Sequence, residues 1–203
     1  MGIRVKSRWN LKDKKHTWEE IGGAIAFTIW RVAGQGVLNL ENEGFQTDNQ
    51  FQRLGVMSEF MAMLVHIADR LTHKKNSDED RQKLILAIAQ RLADTYQDNM
   101  TDVAGEGDYR KPFIDKLNSR MTDYAEFVFE DGEPGYAMRR YFGQQVTETM
   151  GPKDKKWISD QVMEIEVPEA MKGLKKALGG LVEPSKVEDE LLDELRKKAP
   201  EDY

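Results

Sequence analysis

The sequence predicts a mainly α protein: a helical bundle of about five longer helices, with a small two-stranded β element and a C-terminal amphipathic helix. Three observations carry this prediction. Apolar residues recur at helical spacing through most of residues 17–181. Ser or Thr stands three residues before Glu, Gln or Asp ahead of several of these segments, the signature of a helix start. Only two short segments, 3–9 and 163–167, alternate with the period of a strand.

Residues 3–9 alternate with Arg4, Lys6 and Arg8 on one side and Trp9 on the other, within a basic arm that spans 1–16. A lone strand is not stable in water. The acidic alternation at 163–167, with Glu164 and Glu166, is its natural partner, because opposite charges across a strand pair contribute roughly 0.2–1 kcal/mol. The pairing is expected within one chain or between chains.

Thr17 and Glu20 form a capping box that starts the first helix, expected over 18–33 and ended or bent at Gly34 and Gly36. This segment is apolar almost all round, which predicts a central, buried helix. Its interruption, Arg31, is expected to be a buried polar group in need of a partner. A second helix is expected from about Asp48 to Thr72, capped by Thr47 and Gln50, and a third after Ser77 with Ile85, Ile88, Leu92, Tyr96 and Met100 inward. The fourth covers about 110–130 with Phe113, Leu117, Met121, Tyr124 and Val128 inward. The turn Asp131-Gly132-Glu133-Pro134-Gly135 separates it from a fifth helix at about 136–150.

A short helix at 155–161 follows, then the alternating segment. After it, Met171, Leu174 and Leu178 line a short basic helix stopped by Gly179-Gly180. Residues 17–181 thus form the bundle domain. Residues 182–203 form a linker and a docking helix whose stripe is Val187, Leu191, Leu192 and Leu195.

Composition narrows the function classes. The chain has 203 residues, no cysteine and a net charge of −6. Disulfides, thiolate metal sites and cysteine nucleophiles are excluded, and a cytoplasmic location is expected. The acidic balance argues against nucleic acid as a partner. The most apolar run, Ile21 to Trp30, falls short of the about 20 residues a membrane span needs, so no transmembrane segment is expected.

One pattern has metal-like spacing: Glu59, His66, Asp69 and His73 fall within an arc of about 80° on a helix. Imidazole and carboxylate at such spacing could share iron, zinc or manganese. The competing reading is a solvated helix side carrying ion pairs. No Glu-x-x-His pair, nucleophile elbow or phosphate loop occurs.

A folded core without a visible catalytic site, flanked by a pairing strand and a docking helix, reads as a non-catalytic interaction or assembly protein. It would need no cofactor and would bind a protein partner or a second copy of itself through Arg4, Lys6, Arg8, Trp9 and the leucine stripe. The alternatives are a metal-dependent helical enzyme or sensor, and a carrier of a small apolar ligand in which Met57, Met61 and Met63 line the cavity.

Overall fold

A computed structural model describes residues 16–73, 75–152 and 155–181. They form α1 (Trp18–Asn42), α2 (Gln50–Thr72), α3 (Asp78–Ala104), α4 (Arg110–Ala125), the two-residue strands β1 (Phe129–Glu130) and β2 (Glu133–Pro134), α5 (Tyr136–Met150), α6 (Lys155–Gln161), a π turn (Val162–Glu166) and α7 (Val167–Leu181). The mainly helical class and the small two-stranded antiparallel sheet are as predicted. The sheet's place in the chain is not.

Thr17 and Glu20 cap α1 reciprocally, as their spacing predicts. The helix does not stop at Gly34 or Gly36. A Cβ on Gly36 would lie 2.6 Å from the Phe60 ring, and one on Gly22 would lie 2.6 Å from Ala87 Cβ. These glycines are points of closest approach to α2 and α3. The helix ends instead where Gly44 takes φ +94, with Phe45 N–H bonded to the Leu40 carbonyl and Gly44 N–H to that of Glu41. At 25 residues, α1 is long and apolar enough, by length and composition, to cross a membrane; in the fold it packs on α2, α3 and α7.

The central helix is α2, not the segment 18–33. It meets α1, α3, α4, α5 and α7, and Val56, Phe60, Met61, Met63, Leu64, Val65 and Ile67 have no exposed surface. Its N-cap is Asn49, whose side chain accepts from Gln52 N–H. Thr47 is drawn away to donate to Glu41. The apolar breadth of α1 was therefore misleading. Ile25, Ile29, Ala33, Val37 and Leu40 face the core, but Phe27 and Leu38 on the other side are 56% and 40% exposed.

Ser77 caps α3 as predicted, and its buried stripe is Leu84, Ile88, Leu92 and Met100, with Ile85 and Tyr96 only half-buried. α4 is shorter than its pattern. It buries Phe113, Leu117 and Tyr124, but Val128 lies beyond its end and is exposed. The chain there turns through Asp131 (φ 52) and Gly132 (φ 76), placing Phe129 opposite Pro134 and Glu130 opposite Glu133. Two successive positive φ values suit the right-handed twist of a tight hairpin, which is why Asp-Gly stands there. In α5, Met138, Phe142 and Val146 are buried as expected.

Residues 163–167 are helical, which corrects the strand assigned to them and removes the proposed pairing with 3–9. The alternation did not mark two faces. Met163, Glu166 and Val167 point inward, while Glu164 and Ile165 point out. Five residues of alternation are too few to separate a strand from a helix turn. The segment 3–9 lies outside the described residues, as does the C-terminal helix expected at 186–198.

Candidate functional site

The densest polar construction is a seam where α2, α4 and α5 meet. Glu59 is only 1% exposed. Its carboxylate accepts from Arg120 at 2.7 and 3.2 Å and lies 3.1 Å from Lys116 Nζ. Arg120 also donates to Gln145 (2.5 Å) and to the Tyr141 hydroxyl (3.3 Å). Tyr141 in turn donates to Asp123 in a short hydrogen bond. Lys116 donates to Ser58 Oγ at 2.9 Å, and Ser58 donates to the Gly55 carbonyl.

Burial works against the Arg120 charge, but its bonds to Glu59 raise its pKa above the ordinary guanidinium range. Burial and the bond to Asp123 push Tyr141 up to about 12. These directions describe a matched charge set, fully buried at Glu59 and partly exposed at Lys116 and Asp123. A buried ion pair of this kind is costly to break, because the orphaned partner cannot recover its hydration.

Beside the seam, the rings of His66 and Tyr124 stand with centroids 5.6 Å apart. Both are buried, and neither His66 Nδ1 nor the Tyr124 hydroxyl has a hydrogen-bond partner. Desolvation is the largest influence on His66 and lowers its pKa from 6.5 to about 4; Asp69 opposes this and Arg70 adds to it. Burial likewise raises the Tyr124 phenol well above its ordinary value.

The metal-like quartet is not brought together as a ligand set. Glu59 serves Arg120 and Lys116. Asp69 is held by Arg81 in a two-point contact of 2.5 and 2.9 Å. His73 is exposed beyond the end of α2. Among the described residues, no three histidines or carboxylates converge to hold a metal ion. The arc is also not the solvated side it was read as, since Glu59, His66 and Asp69 are all buried. Cations from α3 and α4 pair with its carboxylates Asp69 and Glu59, and those partners lie 12 to 61 residues away, out of reach of any local pattern.

Arg31 is not the buried cation expected. It is exposed on the outward side of α1, and its guanidinium sits 5.9 Å from the ring centroid of Phe27, one turn earlier. That outward side carries Gly23, Phe27, Arg31 and Leu38. A Cβ on Gly23 would meet nothing within 4 Å. Met57, Met61 and Met63 are packed in the core, and neither of two surface clefts is lined by them. The first cleft, of about 410 Å³, lies between Phe51, Gly55, Tyr96 and Lys116. Arg4, Lys6, Arg8, Trp9, Val187, Leu191, Leu192 and Leu195 lie outside the described residues.

Sequence reasoning missed the seam. A signal existed: Ser58-Glu59 interrupts a run that is otherwise apolar from Val56 to Val65. A charge so placed must be paired inside the fold. Compared with known proteins, the chain matches no family model, no curated protein and no solved structure.

Proposed function

We propose that this chain is a non-catalytic assembly protein whose partner is a second copy of itself, docked through the outward side of α1. The observation that carries this reading is an exposed apolar ring one turn from an open glycine on that side. Phe27 projects with more than half its surface exposed, while Gly23, one turn away, leaves open room. A two-fold arrangement uses one patch on both copies, so a knob and a hole on the same helix can satisfy each other twice. Glycines also let helix backbones approach closely. The inner seam supports the same reading. Its charges are spent on one another, and Ser58 Oγ is engaged with Lys116 and Gly55 rather than with a histidine base.

Light scattering across a concentration series tests the proposal. The wild-type chain should show the mass of a dimer that dissociates on dilution. The double variant Phe27→Glu, Leu38→Glu should be monomeric with an unchanged helical circular dichroism spectrum, because both positions are exposed in the isolated fold. A dimer that survives both substitutions, or a wild-type monomer at every concentration, would overturn it.

A further inference from the structure

A second surface has a different character. The groove between the β1–β2 hairpin, the start of α5 and the start of α7 has a volume of about 590 Å³, a size that suits a small molecule. Buried Val167, Met171 and Pro134 form its floor. Pro168 and the methylene stems of Lys172 and Lys175 form its sides. A proline on each bank, Pro134 and Pro168, fixes the backbone there. Lys175 pairs with Glu133, and a Cβ on Gly132 would lie 3.9 Å from its Nζ, so the hairpin is strapped to α7 at one end of the groove.

The charges around it are unbalanced. Arg139, Lys172 and Lys175 line the groove against one acid, Glu133, in a chain that is acidic overall. Glu133 is engaged by Lys175, and Lys172 is exposed with no ion pair among the described residues. Arg139 breaks the rule that buried donors are paired: its Nε is buried and donates to nothing. The acid beside it, Glu164, is 64% exposed and stands 3.9 Å from Nη1, too far for a hydrogen bond. With Nη1 turned toward Glu164, the edge left over is Nε–Nη2. That edge holds two parallel N–H donors, the fork that matches a carboxylate. A buried donor without an acceptor costs free energy, and no hydrogen bond of the side chain holds the guanidinium in place. A short swing that hands Nε to an oxyanion in the groove is therefore favourable.

We propose that this groove binds a small amphipathic monocarboxylate, with its carboxylate on the Nε–Nη2 edge of Arg139 and its apolar body along Val167, Pro168 and Met171. The charge of the head follows from the count of unengaged cations. Lys175 is neutralised by Glu133 and Lys172 stands out in solvent, so one cation, Arg139, is left with its stem in the groove. It matches a single negative charge better than a phosphate dianion. The apolar body follows from the floor, where the side chains of Val167, Met171 and Pro134 offer no hydrogen-bonding group. The inner seam is the contrast: there Arg120 and Lys116 are both taken up by Glu59, and nothing is left to recognise a ligand. The groove lies apart from the outward side of α1, so this inference does not depend on the dimer proposed above.

Methyl NMR of the full chain, labelled at valine and methionine, tests it with decanoate as the probe. The Val167 and Met171 methyl signals should shift saturably. Decanol, the same body without the charge, should bind about tenfold more weakly or worse, the scale of a charge-assisted hydrogen bond. Arg139→Gln should weaken decanoate binding by about tenfold or more. Lys172→Glu, at an exposed position that the fold does not need, should weaken it by about threefold, and it decides the question if the arginine variant fails to fold. Acetate and inorganic phosphate, which lack the apolar body, should leave both methyl signals unmoved at the same concentration. The proposal is overturned if neither signal responds to decanoate, if decanol binds as tightly, or if binding is indifferent to the substitutions. A response to acetate or phosphate equal to that of decanoate would reduce the groove to a plain anion contact and overturn it as well.

Discussion

Acid should unfold this protein through His66. The imidazole is 3% exposed between α2 and α4, beside a phenol that gives it no hydrogen bond. In the folded chain it stays neutral until about pH 4, whereas in the unfolded chain it takes up a proton near 6.5. Between those values unfolding binds a proton that the native state refuses, so lowering the pH favours the unfolded state. The stabilisation is full above pH 6.5 and is lost as the pH falls toward 4. A difference of about 2.5 pH units corresponds to about 3 kcal/mol, a large share of a single domain's stability. The groups that face His66 are Asp69 and Arg70 from its own helix and Tyr124 from α4. The assay is urea unfolding at half-unit steps from pH 7.5 to 4, for wild type and His66→Leu. Carboxylates titrate in both proteins, so the difference between the two curves isolates the imidazole. Wild type should lose about 3 kcal/mol more than the variant over this range. Parallel curves between pH 6.5 and 4.5 would refute the reasoning.

Two further outcomes follow from the packing. Arg120→Met leaves the Glu59 carboxylate buried with Lys116 as its remaining cation, and should destabilise by about 3–5 kcal/mol in denaturant unfolding at pH 7; a loss below about 1 kcal/mol would mean that the seam is wetter than its burial indicates. Gly36→Ala puts a methyl group 2.6 Å from the Phe60 ring, a fully buried side chain in edge contact with Phe142, and should cost about 1–3 kcal/mol by thermal melting although alanine is the better helix former.

Helix starts were legible in the sequence because they are local events. A side-chain oxygen at Thr17 or Ser77 needs only a backbone N–H three residues on. The inward residues of α5 were legible for the same reason, since a single apolar stripe leaves one choice of face. The centre of the fold was not. Burial of α2 depends on Arg120, Lys116 and Arg81 arriving from other helices to neutralise Glu59 and Asp69, and such a match cannot be read from spacing within one helix. Conversely, α1 looked more buried than it is, because an apolar residue carries no mark that separates a core contact from an exposed one. Arg31 shows the same limit from the other side: a cation in an apolar helix was read as buried, yet it lies over Phe27 on the surface.

The π turn at Val162–Glu166 acts as a phase shifter in an otherwise continuous helical rod. It holds one residue more per turn than an α-helix would, and that extra residue sets the rotation of everything downstream. Deleting a single residue within it would let the turn close to ordinary α geometry with α7 still in phase, whereas deleting one just downstream, at Glu169, would turn the rest of α7 by about 100°. Lys172 would then fall in the slot of Met171, Lys175 in that of Leu174 and Gly179 in that of Leu178, three positions now buried. The π turn can therefore absorb the loss of one residue that the regular turns of α7 cannot, and changes in length should be tolerated better there and in the loops between the helices than within α7.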